Sequence, residues 1–138
     1  MIKRTHIYSL FLILLIIGSA FIGRAQQVGT KIDRSQILIG ERIRYDVMIN
    51  IPEPGYSVQF DMPENIPHFD VVDPGKFDTT GDNGSYSLHR EIVFTSFDSG
   101  AWHIPSFPVT LVKNNSYKKF LTDSVLVNVG YSPADSTN

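Results

Sequence analysis

Arg42-Ile43-Arg44-Tyr45-Asp46-Val47-Met48-Ile49-Asn50-Ile51 is the stretch whose reading decides the fold. Ile43, Tyr45, Val47, Ile49 and Ile51 fall at every second position, and the residues between them are mostly polar. Successive side chains of an extended chain point to opposite faces. The pattern therefore describes a strand with one face in a core and the other in water. Pro52-Glu53-Pro54-Gly55 ends it, because neither proline has an N–H to give a ladder.

Working outward, the same period recurs. Tyr56, Val58, Phe60 and Met62 alternate with Ser57, Gln59 and Asp61 until Pro63. Phe69 to Val72 is a short apolar piece between Pro67 and Pro74. The polar loop that follows ends in Asn83-Gly84, a pair that readily takes the positive φ of a type I′ turn. Tyr86, Leu88, Arg90, Ile92 and Phe94 share the next face, and Arg90 interrupts it, so only the later half is expected to be fully buried. After Asp98-Ser99-Gly100, Trp102 and Ile104 share one parity while Phe107, Val109 and Leu111 share the other. The slip at Pro105-Ser106 is either a β-bulge that keeps both sets inward or a split into two short strands. Lys113-Asn114-Asn115-Ser116 reads as a hairpin loop, and Val125, Val127 and Val129 as a last strand with Leu121 in phase. Trp102 is expected to be buried against Tyr45 and Val47.

About seven short strands at this spacing, with turn signals between them, predict an all-β, antiparallel β-sandwich of immunoglobulin-like type over residues 28–130. Residues 131–138, rich in Ser, Asp, Thr and Asn, read as a disordered tail or the start of a linker.

The front of the chain is of another kind. Lys3 and Arg4 precede an apolar run from Ile7 to Ile17, and Gly23-Arg24-Ala25 places small residues where a processing enzyme reads them. Residues 1–25 thus read as a secretory signal helix cleaved after Ala25, giving an exported protein of the periplasm or cell envelope. Even taken to Ile22, the run falls short of the ~20 residues of a spanning helix. An uncleaved N-terminal anchor is the alternative, and the only membrane contact the sequence offers. The chain of 138 residues has 12 Lys and Arg, 14 Asp and Glu, and a net charge of −2. Cleavage removes Lys3, Arg4 and Arg24, leaving a net charge of −5 (nine basic residues against 14 acidic). Such a surface is a poor nucleic-acid partner. Lys118-Lys119, the one adjacent basic pair after the signal, reads as a solvated strand edge.

No catalytic, cofactor-binding or metal-binding residue is assigned. The chain has no cysteine, which excludes lipidation of a cysteine, thiolate chemistry and cysteine zinc sites. His68, His89 and His103 form no metal-ligand motif, although His89 and His103 could face each other across neighbouring strands. Asp70, Asp73, Asp78 and Asp82 are the one acidic cluster, but they lack the spacing of a calcium loop. There is no Gly-x-Ser-x-Gly elbow and no phosphate loop. Asn83-Gly84-Ser85 and Asn114-Asn115-Ser116 match the glycosylation pattern and are read as turns. Tyr56, Phe60, Tyr86, Phe94, Trp102 and Phe107 fall on core faces, whereas Phe97, Tyr117 and Phe120 fall off the inward parity and are expected to be exposed.

Two segments carry a resemblance. Ile37-Leu38-Ile39-Gly40-Glu41-Arg42-Ile43 is similar to the Gly-Glu entry into the second strand of immunoglobulin-like domains. Asp98-Ser99-Gly100-Ala101-Trp102-His103-Ile104 resembles the Asp-x-Gly-x-Tyr-x-Cys entry into their strand F, with Trp102 in place of the tyrosine and Ile104 in place of the cysteine. A disulfide and a tyrosine-corner hydroxyl bond are therefore ruled out at these positions. Together with Thr95-Ser96-Phe97-Asp98-Ser99-Gly100 and Ile104-Pro105-Ser106-Phe107, these segments resemble the N-terminal domain of BatD-like proteins of the Bacteroidetes aerotolerance group. The resemblance implies a non-enzymatic envelope module making contacts with an envelope protein partner, through a sheet edge or one loop end. The candidate edges are the first strand, near Thr30 to Leu38, and the last, near Leu121 to Val129. A carbohydrate-binding β-sandwich is the alternative. Coplanar aromatics on one exposed face would mark it, whereas free backbone groups at an edge would mark protein binding.

Overall fold

The computed structural model describes residues 27–82 and 84–131. The segment read as a signal, Asn83 of the expected turn, and the tail from 132 to 138 lie outside them. Eleven strands follow one another: β1 (Val28–Ile32), β2 (Gln36–Leu38), β3 (Arg42–Ile51), β4 (Ser57–Phe60), β5 (Asp70–Asp73), β6 (Asp78–Asp82), β7 (Ser85–Thr95), β8 (Gly100–Ile104), β9 (Pro108–Lys113), β10 (Ser116–Leu121) and β11 (Val125–Gly130).

The first sheet runs β1-β3-β7-β5, with β6 also on β7. Its centre is the long antiparallel pair of β3 and β7, from Arg42 opposite Thr95 to Ile51 opposite Tyr86. All five alternating apolar residues of β3 are buried, and Ile92 and Phe94 are buried beside them. The early half of β7 is half-buried, as its interrupted pattern predicts. Arg90 lies with its guanidinium 5.1 Å from the Phe60 ring and 5.3 Å from the Phe77 ring, while its Nε donates to the Pro74 carbonyl at 2.8 Å. A cation can stay on an inward parity here because two ring faces and a carbonyl replace water.

The facing layer is made of the ladders β10-β9-β4 and β2-β11-β8. They belong to one long hairpin. Leu121 faces Pro108 in one ladder and Val125 faces Ile104 in the other, four residues on along each strand, so the register is unchanged across the break. At the break, Phe107 N–H donates to Thr122 Oγ1 at 2.7 Å and Thr122 N–H to the Phe107 carbonyl at 3.0 Å. Both strands slip phase together, so Ile104 and Phe107 both reach the core on one strand, and Phe120 and Val125 both face inward on the other. Of the two readings of Pro105-Ser106, the split is observed, and a matching split occurs at Thr122–Ser124.

These breaks correct the expected count of about seven strands. The chain from 28 to 38 also divides, β1 joining the first sheet antiparallel to β3 and β2 joining the second parallel to β11. Phe69 to Val72 and the following polar stretch supply two more short strands, β5 and β6, on β7.

The layers meet in an aromatic centre. Tyr45 lies edge-on to Phe94 and to Phe107, with ring centroids 5.7 and 5.9 Å apart, and Phe107 in turn meets Phe60 at 5.8 Å. The Tyr45 hydroxyl reaches the Asp123 carbonyl at 3.5 Å. Burial pushes its phenol up, against the downward pull of hydrogen bonding with Thr122 and Thr30.

Candidate functional site

The first strand, near Thr30 to Leu38, and the last, near Leu121 to Val129, were the two candidate edges. β1 and β2 each end a ladder, so the first of these is an edge as expected, and beside it Thr30 Oγ1 accepts the Asp123 N–H at 3.1 Å and links the layers. β11 lies between β2 and β8, so it is not an edge. This corrects the expectation that the last strand, Leu121 to Val129, is one. Leu121 is not in phase with that strand either: it ends β10 and is 64% exposed. β5 begins and ends in aspartate, β6 begins in one, and Pro74 lies between them, features that blunt an edge. β4 has only four residues, and the Tyr86 hydroxyl donates to the Tyr56 carbonyl just before it.

β10 is different. Asn114 and Asn115 have φ of +48° and +60°, so the β9–β10 connection is a two-residue turn of the I′ kind. Such a turn makes Lys113 and Ser116 a hydrogen-bonded pair, and the alternation then fixes every residue beyond it. Ser116, Lys118 and Phe120 turn their backbone groups to β9. Tyr117, Lys119 and Leu121 turn theirs outward, where no described strand lies. The bond of Thr122 to Phe107 agrees with this phase. Asp123 is next in the outward set, and Thr30 has taken its N–H.

The side chains follow the same division. Phe120 is half-buried against the core, which corrects its expected exposure. Tyr117 and Leu121 are 67% and 64% exposed, and Lys119 between them is exposed as well. Lys118 sits with its ammonium 5.6 Å from the Tyr56 ring. Lys118-Lys119 thus lies on a solvated strand edge.

A second cluster surrounds Trp102. Its ring stacks on His68 at 3.5 Å and 7°, and its Nε1–H donates to the Asp98 carbonyl at 3.0 Å. It is half-buried at the margin of the core, which corrects the expectation of burial against Tyr45 and Val47. The indole N–H makes a bond back to Asp98 where a tyrosine hydroxyl bond was ruled out. His68 has φ +67°, and its Nδ1 lies 3.1 Å from Asp98 Oδ2. Ser96 completes the cluster, but its Oγ donates to the His68 carbonyl at 2.6 Å and the residue is fully buried. Its hydroxyl also lies 3.3 Å from both the carbonyl and the N–H of Asp98, so the hydrogen bonds shown for it go to backbone groups. The cluster pins the turn before β5 onto the β7–β8 turn.

The other histidines stand apart. His89 pairs with Asp46 at 3.0 Å on the outer face of the first sheet, and His103 lies 3.4 Å from Ser124 Oγ in the second, so the two do not face each other. Among the described residues no three His, Asp or Glu come together as metal ligands. A surface cavity of about 510 Å³ is lined by Gln27, Asn50, Thr80, Ser85, Tyr86 and Lys118 among others, and the described residues of its lining include no carboxylate or imidazole. Of the expected core aromatics, Phe94 and Phe107 are fully buried, and Tyr56, Phe60, Tyr86 and Trp102 pack partly buried against the core. Phe97 is 63% exposed, as its parity predicts.

No protein-family model matches the chain, and no curated protein matches it.

Proposed function

We propose that this chain is an exported, non-enzymatic envelope module that binds a protein partner by accepting an extended segment as an additional strand on β10. The observation that carries this reading is the outward set Tyr117, Lys119 and Leu121: three residues whose backbone N–H and C=O groups face no described strand. Main-chain hydrogen bonds of this kind give affinity in strand-addition complexes, and alternate side chains give specificity. The other strands that end a ladder, β1, β2, β4, β5, β6 and β8, are three to five residues long against six in β10, so β10 offers a partner the longest free edge among the described residues.

The immunoglobulin-like assignment is supported by the division of one N-terminal segment between both sheets and by the order β1-β3-β7-β5 opposite the β8–β11 hairpin. The turn at Gly40, with φ +83°, supports it too: Glu41 Oε2 accepts the Leu38 N–H at 2.8 Å, so Gly-Glu here is a built corner. The BatD-like resemblance and the basic, apolar, small-residue order of residues 1–25 support an envelope location. The carbohydrate alternative needs aromatics gathered on one face. Tyr117 stands next to the β9–β10 turn, whereas Tyr131 follows the far end of the same hairpin arm, beyond β11.

The test is capture of partners from an envelope extract by the wild-type chain and by Tyr117→Pro, Lys119→Pro and Leu121→Pro variants. Each proline removes one outward N–H and leaves the bonds to β9 in place. Variants with wild-type circular dichroism should lose the partner, and full retention by folded variants refutes the reading. N-terminal sequencing of the exported protein should begin at Gln26; a chain that still carries Ile7 to Ile22 in membranes is anchored instead.

A further inference from the structure

We infer that the segment β10 accepts carries an acidic residue between two apolar ones, in the order apolar-x-Asp/Glu-x-apolar, and that it is not a second copy of this chain. The inference rests on the strand-addition reading and specifies its partner.

Residues directly opposite one another on paired strands bring their Cβ atoms to about 4.5–5.5 Å on the same face. Any added strand therefore sets three alternate side chains against Tyr117, Lys119 and Leu121. The outer two of these are large, apolar in body and more than half exposed. The middle one is an exposed cation. Lys113 is paired with Glu53 at 3.0 Å and Arg34 with Asp33 at 3.3 Å, but Lys119 makes no ion pair with a described residue. A carboxylate opposite Lys119 matches it, and an apolar residue to either side covers Tyr117 and Leu121.

The same geometry disfavours self-pairing. In antiparallel pairing of two copies, the register that sets Tyr117 against Leu121 also sets Lys119 against Lys119. The register one step toward the turn sets Lys118 against Lys118. Like charges directly opposite are destabilising. The register one step the other way runs into Asp123, whose N–H is already given to Thr30. Two lysines on the outermost strand thus act against copies of the chain and in favour of an acidic strand.

The experiment measures fluorescence anisotropy of two labelled, end-blocked synthetic peptides against the full chain in a non-ionic detergent. One peptide is Thr-Ile-Thr-Glu-Thr-Val-Thr and the other has Lys in place of Glu. The Glu peptide should bind at least about tenfold tighter, a difference that Lys119→Gln reduces and Lys119→Glu reverses. The preference should shrink between about 0.01 M and 1 M salt, as the screening length falls from ~30 to ~3 Å. Both substitutions are at an exposed position, and a thermal melt verifies the fold. Equal binding of both peptides, abolished by Tyr117→Pro, overturns the acidic partner and leaves strand addition standing. Binding that survives Tyr117→Pro, Lys119→Pro and Leu121→Pro removes strand addition itself. Failure of both peptides to bind overturns the inference, and a dimer in sedimentation that Lys119→Glu strengthens assigns the edge to a second copy.

Discussion

Replacing Phe107 by alanine should be the most damaging single truncation in the second layer, and more damaging than the same change at Trp102. Phe107 is 1% exposed and joins the layers: its ring lies 5.9 Å from Tyr45 and 5.8 Å from Phe60, both edge-on. Truncating a fully buried phenylalanine costs about 3–5 kcal/mol, from lost transfer energy and the cavity left behind. Relaxation is hindered here, because Tyr45 is held by its hydroxyl and Phe107 N–H is tied to Thr122. The upper part of that range is therefore expected. Trp102 is larger but only half-buried. It loses a stack with His68, worth about 0.5–1.5 kcal/mol, and a hydrogen bond to Asp98 of roughly the same size. A cost of about 1–3 kcal/mol follows for Trp102→Ala. A domain of this size has about 5–15 kcal/mol in all, so the two variants are well separated. Urea unfolding followed by circular dichroism gives both values without relying on the single tryptophan's emission. Parallel slopes against denaturant would show that the comparison is between native states. A Trp102→Ala cost equal to or above that of Phe107→Ala would refute the placement of the core between Tyr45, Phe60 and Phe107.

Gly100→Ala should lower stability by about 1–3 kcal/mol in the same assay, since φ is +143° and a Cβ would meet the Trp102 ring at 2.6 Å. At the β9–β10 turn, Asn115→Val should cost about 1–2 kcal/mol because φ is +60°, whereas Asn115→Gly should cost nothing; thermal melts that do not separate the two would contradict the I′ geometry. Asp33 tests electrostatics. Burial raises its pKa, but the Arg44 N–H at 2.9 Å and the charges of Arg34 and Arg44 win, and hold its carboxyl below the ordinary value. A carboxyl lowered on folding contributes stability above its unfolded pKa of about 3.9, and that contribution disappears as pH falls through the folded value. Urea midpoints of wild type and Asp33→Asn should thus differ at pH near neutral and converge in acid; a gap that widens in acid would reverse the sign.

The faces of the strands were legible in the sequence. Alternation in Ile43 to Ile51 and in Tyr86 to Phe94 gave the inward sets, because a period of two fixes which side of a sheet a residue occupies. Turn chemistry was legible for the same local reason: Asn114-Asn115 tolerates positive φ, and Gly40 and Gly100 sit where only glycine is unstrained. Composition alone ruled out cysteine chemistry, and the basic, apolar and small-residue order of residues 1–25 gave the export expectation.

What pairs with what was settled by tertiary structure. Lys118-Lys119 marked β10 as a solvated edge, but β11, read as a candidate edge, is central, because Gln36–Leu38, 92 residues earlier in the chain, lies parallel to Asn128–Gly130. No local pattern encodes that neighbour. The matched slips at Pro105-Ser106 and Thr122–Ser124 are likewise visible only when both strands are laid together. Trp102 was placed by contact with His68, a residue in a distant turn, and not by its own parity. Side-chain period specifies a face; the identity of an edge depends on non-local hydrogen bonding, and it is the edge that presents Tyr117, Lys119 and Leu121 to a partner.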